Sequence, residues 1–419
     1  MKSRSSHRRI VGSRRRAVGS RMRVIGLMSG TSGDGVDAAL VEIGGQGEQL
    51  EVRPVAFAVT PFSPDLQQRV LKAALEGSVR EICYLNALLG EIFARAALKV
   101  IRKAKLTPAQ IDLIGSHGQT VHHLPVGRRE RGIGLVRATL QIAEAAVIAE
   151  RTGVTAVANF RARDLAVGGQ GAPLAPYAHY VLLWDSDRTR LVVNLGGISN
   201  VTVLPRGAGL DQVQAFDTGP ANMVLDGLIN HMTRGRLSMD RQGAMASSGR
   251  VDAALLRELL RHPYLRRRPP KSTGREEFGA EFVARVRTLQ KRRKLADRDV
   301  MATCARFTAE CIGTARKWLP GEIDEVIVGG GGVRNRAVME HLAQVLAPAP
   351  VRTFDQVGWS SKAFEAIAFA VLAYQTIHGT PNNVPSVTGA RGAVVLGHLV
   401  PGAPESMSRL LHRLGLSEC

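Results

Sequence analysis

The sequence is poor in cysteine and in long hydrophobic runs, and each shortage excludes a class of protein. Its four cysteines, at positions 83, 304, 311 and 419, have neither the paired spacing of a metal site nor that of a disulfide framework. No apolar run reaches the roughly 18 residues that a membrane span needs. Residues 1–21 also lack the apolar centre of a secretory signal. We therefore expect a cytoplasmic protein with no membrane partner.

Acidic residues are scarce as well, because 36 aspartates and glutamates face 56 lysines and arginines, which gives a formal net charge of +20. Eight of the basic residues lie in the first 22 positions, which contain no acid and predict a disordered basic arm over residues 1–21. Met22 directly precedes the first predicted strand, and a start of translation at Met22 is one interpretation of the arm. Aromatic residues make up only 5% of the chain, too few for base-stacking surfaces, so we expect no nucleic-acid partner.

Two glycine-rich turns, each between two apolar runs, are the most informative features that are present. Glycine allows positive φ angles and the close approach of a ligand to the backbone, and hydroxyls and amides at such turns suit phosphate oxygens. The turn residues are Gly30, Thr31, Ser32, Gly33, Asp34 and Gly35 near the start of the chain, and Asn194, Gly196, Gly197, Ser199 and Asn200 further on. We predict that phosphate binds between two halves of the chain, and that a third glycine cluster, with Gly330 and Gly331, binds the nucleoside.

Each half of the chain runs from one of these hairpins into alternating strands and helices, a pattern typical of layered α/β folds. The sequence therefore predicts an α/β fold with two ribonuclease-H-like (actin-like ATPase) domains flanking an interdomain cleft. We place the N-terminal domain at residues 22–187, the C-terminal domain at residues 188–400 and a C-terminal tail at residues 401–419.

Three aspartates lie in glycine-containing loops at strand ends, and they are candidates for phosphoryl-transfer chemistry. Asp34 and Asp217 could bind Mg²⁺, which takes few carboxylates and several waters. Asp164 lies in a long loop beside two arginines, which we expect to keep it ionised as a base, while Arg161 or Arg163 steadies an anionic group. A lone aspartate in a turn is more often a cap, but three together favour a catalytic site. Asp240 is a further candidate if one of the three is not catalytic.

A histidine cluster follows a short predicted strand at residues 111–115, and it comprises His117, His122 and His123. Its spacing is not that of a zinc site. We predict instead that His117 and Gln119 form hydrogen bonds to a polar substrate. The chain has no serine in a nucleophile-elbow frame and no dinucleotide fingerprint, which disfavours a hydrolase of that kind and a Rossmann oxidoreductase.

Nine motifs that occur in order between about Met22 and Leu399 resemble the anhydro-N-acetylmuramic acid kinase family. They are GLMSGTSGDGVDAAL, GSHGQTVHH, TLQIAEAAVIAERTG, NFRARDLAVGGQGAPLAP, VVNLGGISNVTVLP, FDTGPANMVLD, KSTGREEFG, VGGGGVRN and SVTGARGAVVLG. The resemblance implies the sugar kinase/actin/Hsp70 superfold. It also implies hydrolytic opening of the 1,6-anhydro ring of anhydro-N-acetylmuramic acid coupled to phosphorylation of O6 by ATP. The products would be N-acetylmuramic acid 6-phosphate and ADP, in the recycling of peptidoglycan.

The resemblance also assigns roles to residues of this chain. It implies that Gly30 to Asp37, including Val36, bind the phosphates of ATP and that Asp164 activates the water that attacks C1. Residues 160–163 with Gln170 and Gly171 would shape the sugar site, and Thr120 of the histidine motif and Asp217 would also contact the substrate. ATP and Mg²⁺ are the implied cofactors, and a homodimer is the expected assembly.

Some positions depart from the family pattern, and some alternatives stay open. Gly33 stands where leucine is common, Asn159 replaces an aspartate, and Lys362 lies near the position of an expected aspartate before the Glu365 helix. The alternatives are a kinase of the same superfold that acts on another sugar or polyol, an ATP-binding module without transfer chemistry, and, from charge alone, a nucleic-acid-binding protein.

Overall fold

A computed structural model describes residues 21–319 and 321–416, so the predicted arm lies outside the described residues except for Arg21. Twelve strands occur in these ranges. They are β1 (Met22–Ser29), β2 (Gly35–Gln46), β3 (Gln49–Pro61), β4 (Leu113–Glu130), β5 (Gly134–Ile142), β6 (Ala156–Ala158), β7 (Arg190–Leu195), β8 (Ile198–Leu204), β9 (Gln214–Pro220), β10 (Glu325–Gly329), β11 (Val351–Thr353) and β12 (His398–Val400).

Fifteen α-helices accompany the strands in the same ranges, joined in places by short 3₁₀ turns. They are α1 (Pro64–Glu76), α2 (Val79–Lys103), α3 (Ala145–Thr152), α4 (Phe160–Ala166), α5 (Ala175–Leu183), α6 (Asn222–Met232), α7 (Ala244–Ser248), α8 (Ala253–Leu259), α9 (Arg275–Phe278), α10 (Ala280–Arg293), α11 (Asp297–Gly313), α12 (Arg336–Leu346), α13 (Phe364–Ile377), α14 (Pro385–Thr388) and α15 (Pro404–Arg413). None of the helices described is both long and apolar enough to cross a membrane.

The two sheets repeat one plan. The first sheet has the order β12-β6-β4-β1-β2-β3, with β5 paired to β4, and the second has the order β11-β10-β7-β8-β9. In each sheet three antiparallel strands come first, and the first of them then pairs with a parallel strand, β1 with β4 and β7 with β10. This repeat confirms the predicted α/β architecture of two ribonuclease-H-like domains.

Several helix boundaries follow from the capping residues in the sequence. Ser63 accepts a hydrogen bond from the N–H of Leu66 ahead of the proline that begins α1. The Ser78 side chain caps α2 in the same way, and Gly153 ends α3 in the left-handed region, where glycine carries no Cβ penalty. Local capping chemistry therefore sets these helix boundaries.

The end of the chain returns to the first sheet. This differs from the prediction of a C-terminal domain at residues 188–400 followed by a tail at residues 401–419. Strand β12 pairs with β6, and α13 packs on β1, so closely that a Cβ at Gly26 would overlap the Ala366 carbonyl oxygen. Helix α15 is tied to the same domain through an ion pair of Arg413 with Asp112, N···O 2.7 Å. Residues of β1, β7, β10, α5 and α13 share one hydrophobic cluster, so the core does not divide at residue 188.

Two local predictions are wrong. The residues predicted as a long loop from Arg161 begin with helix α4, whose seven residues include Asp164. The strand predicted to end before the histidine motif instead continues through it, because β4 pairs with β5 as far as Glu130. His117, His122 and His123 therefore lie on a strand rather than in a loop.

Candidate active site

The two glycine turns face one cleft of about 1450 Å³. Thr31 and Ser32 of the β1–β2 turn and Gly197 and Ile198 of the β7–β8 turn line it, together with residues of α6, α9 and α10. The sheet repeat explains this arrangement, because each turn joins the same two strands of its own domain. The structure therefore places the two predicted phosphate-binding turns on one cavity.

The first turn is open on the side of the cleft and fixed from behind. Thr31, Ser32 and Asp34 are exposed, and the Ser32 hydroxyl donates to Asp34 Oδ1 at 2.9 Å. Behind the turn, Gln119 Nε2 donates to the Gly30 carbonyl at 3.1 Å, while its Oε1 accepts from the Ser29 hydroxyl at 2.6 Å. In this structure Gln119 thus holds the turn and does not face the open cleft.

The second turn and the third glycine cluster meet at the end of the second sheet. The Asn222 N–H donates to the Gly196 carbonyl at 3.0 Å, so the start of α6 supports the turn. Gly330 has a φ of 84°, and a Cβ there would lie 2.5 Å from Asn194 Oδ1, so glycine is required. Gly331 is exposed beside it. The structure thus brings together Asn194, Gly196, Gly197, Gly330 and Gly331, the residues that the sequence assigned to cofactor binding.

Asp164 is completely buried, with 0% of its surface exposed. Its Oδ2 accepts from the Gly171 N–H at 2.8 Å, and its Oδ1 accepts from Asn383 Nδ2 at 2.9 Å and from the Thr388 hydroxyl at 2.8 Å. Among the described residues, these three donors bind the carboxylate, and the arginines expected from the sequence do not. A Cβ on Gly169 would overlap its Oδ2.

The two arginines of α4 differ in their surroundings. Arg163 is exposed, and its side chain has no hydrogen-bond or ion-pair partner among residues 21–319 and 321–416. Arg161 is half-buried and donates to His117 and, through Nη1, to the Gly171 carbonyl at 2.9 Å. Its contacts link the strand of the histidine motif to the loop that binds Asp164.

Two carboxyl groups that the sequence did not mark as catalytic, Glu365 and Asp37, interact electrostatically, and Glu365 also interacts with Arg161. Glu365, in the first turn of α13, has an exposed side chain, although protein atoms surround its carboxyl group. This burial raises its pKa, and the Arg161 charge opposes the rise. Asp37 has its pKa raised to about 6 by burial first and then by the charges of Asp34 and Glu365, with Lys362 opposing.

The other predicted substrate residues have defined places. Thr120 accepts a hydrogen bond from Gln141 Nε2 at 3.3 Å, and Gln170 has an exposed side chain and a backbone N–H bonded to the Thr388 carbonyl at 2.9 Å. Asp240 caps α7, because its carboxylate accepts from the N–H groups of Met245 and Ala246. Asp240 is therefore occupied by a structural role.

Asp217 lies on β9, and its Oδ2 accepts from the Thr273 N–H at 2.9 Å. Burial raises its pKa to about 6, helped by the Glu276 charge. Across the residues that the structure describes, no group of three or more histidine, cysteine, aspartate or glutamate side chains could hold a metal ion. Asp34 and Asp217 thus form no preassembled metal cluster.

Asn383 and Thr388 are further site residues that the sequence did not predict. They lie 219 and 224 positions beyond Asp164 in the chain. The only signal was the motif SVTGARGAVVLG, which contains Thr388 and which the resemblance noted without a role.

Comparisons with known proteins agree on one family. A model described as anhydro-N-acetylmuramic acid kinase matches residues 22–402. The chain is 45% identical over 379 residues to the anhydro-N-acetylmuramic acid kinase of Caldanaerobacter subterraneus subsp. tengcongensis, which covers 89% of this chain and 96% of that protein. It is 46% identical over 383 residues to the protein of that name from Salinibacter ruber, covering 90% and 96%.

A solved structure, component A of the (R)-2-hydroxyglutaryl-CoA dehydratase of Acidaminococcus fermentans, is 13% identical, with a TM-score of 0.44 over 84% of this chain and 98% of that one. The match over residues 22–402 extends over both sheets and includes both glycine turns and Asp164. The chain belongs to the anhydro-N-acetylmuramic acid kinase family.

Proposed function

We propose that this chain is a phosphotransferase with an alcohol group as acceptor. It uses ATP to open the 1,6-anhydro ring of anhydro-N-acetylmuramic acid and to phosphorylate O6. Family membership supports the kinase activity and the use of ATP. The observation that carries the proposal is the meeting of two open glycine turns at one cleft. Hydrogen bonds also link Arg161 to Gly171 and Gly171 to Asp164.

The phosphates of ATP would lie against the two turns. Glycine lets the backbone approach an anion, and the exposed hydroxyls of Thr31 and Ser32 add donors. Gly330 and Gly331 adjoin the second turn and suit the nucleoside side. The turns are fixed by Gln119 and by α6, so they are organised before the nucleotide binds.

Mg²⁺ fits the first turn best. Asp34 offers an exposed carboxylate beside the proposed phosphate site, and Mg²⁺ in kinases commonly binds one or two carboxylates besides water and substrate phosphates. Asp217 is the second proposed ligand, although one of its oxygens is engaged by Thr273. The ion would offset the negative charge of the phosphates.

Asp164 is the proposed base that takes a proton from the water attacking C1, while O6 leaves the ring and accepts the phosphoryl group. The carboxylate has a fixed orientation, because three donors hold it. Because it is fully buried, we expect the attacking water to reach it through a shift of the loop after α4, which has exposed residues at Gln170 and Pro173. Arg161 and Arg163 would bind oxygens of the sugar.

The reaction type can be tested directly by mass spectrometry. Purified protein is incubated with ATP, Mg²⁺ and anhydro-N-acetylmuramic acid, with ATP omitted as the control. We expect a product heavier than the substrate by one phosphoryl group and one water, together with ADP. A product that gains the phosphoryl group alone, or phosphorylation only of other sugars or polyols, would contradict the proposal. The homodimer and the cytoplasmic location stay predictions.

A further inference from the structure

His117 has both ring nitrogens occupied within the protein. The side chain is buried on β4, and its ring packs against Phe369 with 4.6 Å between the centroids. Nδ1 lies 2.9 Å from the Gly118 carbonyl oxygen. Because a carbonyl oxygen only accepts hydrogen bonds, Nδ1 must carry the proton, and Nε2 is then left with a lone pair.

That lone pair accepts from Arg161. The distances to Nε2 are 3.0 Å from Arg161 Nε and 2.9 Å from Arg161 Nη2, and Nη1 donates at 2.9 Å to the Gly171 carbonyl. These contacts use three of the five N–H donors of the guanidinium. Two donors remain, and Glu365 is the acidic group whose charge acts on Arg161.

The imidazole stays neutral at physiological pH. Burial lowers the pKa of His117 to about 3, and the positive charge of Arg161 contributes. A second proton on Nε2 would also point an N–H at two guanidinium donors. His117 therefore has neither a free nitrogen for a sugar hydroxyl nor a proton to exchange near pH 7, in contrast to the direct substrate contact that the sequence predicted.

We infer that His117 is a positioning residue that acts through Arg161, orienting its guanidinium so that the two remaining donors bind an oxygen of the sugar opposite Glu365. The inference rests on the proposed function for the identity of the sugar. Arg161 also holds Gly171, whose N–H binds Asp164, so the orientation of Arg161 is linked to that of the proposed base.

A double-mutant cycle on kcat/KM for the anhydro sugar tests this coupling. We compare the wild type with His117→Phe, Arg161→Met and the double variant. Misplacement of a substrate-positioning group by about 1 Å can cost on the order of 10²-fold, so we expect each single change to lower kcat/KM by about 10- to 100-fold. The double variant should be no more than about twofold worse than Arg161→Met. Losses that multiply would overturn the inference, because His117 would then act independently of Arg161.

A second variant separates positioning from mere packing. His117→Gln keeps an amide oxygen that can accept from Arg161, and we expect it to retain kcat/KM within about fivefold of the wild type while His117→Phe does not. KM for ATP should be unchanged in both variants, and thermal melting checks that both fold. Equal impairment of the two variants, or a raised KM for ATP in His117→Gln, would contradict the assignment.

Nitrogen NMR of labelled histidine in the free protein needs no substrate. We expect His117 to hold its proton on Nδ1 with no titration between pH 5 and pH 8, and its Nε2 signal to move in Arg161→Met. A titration in that range, or an Nε2 signal unaffected by Arg161→Met, would refute the arrangement. If the wild type does not phosphorylate the anhydro sugar, the proposed function fails, while this measurement still decides the role of His117.

Discussion

Replacing Asp164 with asparagine should abolish most catalysis at a limited cost in stability. A positioned carboxylate base contributes roughly 10²- to 10⁴-fold, so kcat should fall by at least about 10². Asparagine can still accept from Asn383 and Thr388 at its oxygen, but its NH₂ group would face the Gly171 N–H, which now donates at 2.8 Å. Loss of that charge-assisted bond and the unpaired donor cost about 1–3 kcal/mol.

The Thr388→Val variant is the matched control. It removes the 2.8 Å hydrogen bond to the same carboxylate at a similar cost of about 1–3 kcal/mol, yet it leaves the carboxylate in place with two donors. We expect kcat to fall by less than about tenfold in this variant. Activity is followed by ADP release, ATP binding by calorimetry and stability by urea unfolding.

Two results would refute the reasoning about Asp164. Near-normal kcat in Asp164→Asn would move the base to Glu365 or Asp217, since Asp240 is engaged in capping α7. An equal loss of kcat in Thr388→Val would show that the integrity of the loop, and not the carboxylate, limits the reaction. ATP affinity should be nearly unchanged in both variants, because Asp164 lies outside the two turns that we propose bind the phosphates.

Three further predictions concern the first turn, strand β2 and the N-terminus. Asp34→Asn should raise KM for Mg·ATP as well as lower kcat, which is checked by measuring ATP-dependent activity as Mg²⁺ is titrated. An unchanged Mg²⁺ requirement would show that Asp34 does not bind the metal. Burial raises the pKa of Asp37 to about 6, so the folded state binds the proton of this carboxyl more tightly than the unfolded chain does. Asp37 therefore lowers the free energy of unfolding as pH rises from 3.8 to about 6. Because Asp37 is partly exposed, solvent screening limits the penalty to about 1–2 kcal/mol. Asp37→Asn should therefore stabilise the protein at pH 8 and have little effect at pH 4, measured by urea unfolding; equal effects at both pH values would contradict this. A chain that starts at Met22 should keep kcat/KM within about threefold, and a tenfold loss, about 1.4 kcal/mol, would mean that residues 1–21 contact the active site.

The sequence predicted best where local chemistry decides the structure. The two glycine turns and the alternation of strands and helices depend on neighbouring residues, and the structure agrees at both. The helix α4 was missed because its seven residues are followed, after Val167, by Gly168 and Gly169, and this glycine-rich stretch predicts a loop.

The contacts that the sequence could not predict join distant parts of the chain. Asn383 and Thr388 reach Asp164 across more than 200 positions, and no local pattern records such a pairing. The three-residue strand β12 likewise pairs with β6 only because the chain returns to the first sheet. Gln119 was predicted to bind substrate from its polarity, but only the folded arrangement shows it bonded to the Gly30 carbonyl.

Helix α13 connects the packing of the two domains to the candidate site. Its buried residues belong to a cluster that also contains Val192 and Ile327 of the second sheet and Val24 of the first. Its first turn carries Glu365, which faces the charge of Arg161. Because a packed core transmits displacement rather than absorbing it, a change in the angle between the sheets must reach this first turn. The carboxyl that interacts with Arg161 is thus carried by a helix that packs against both sheets.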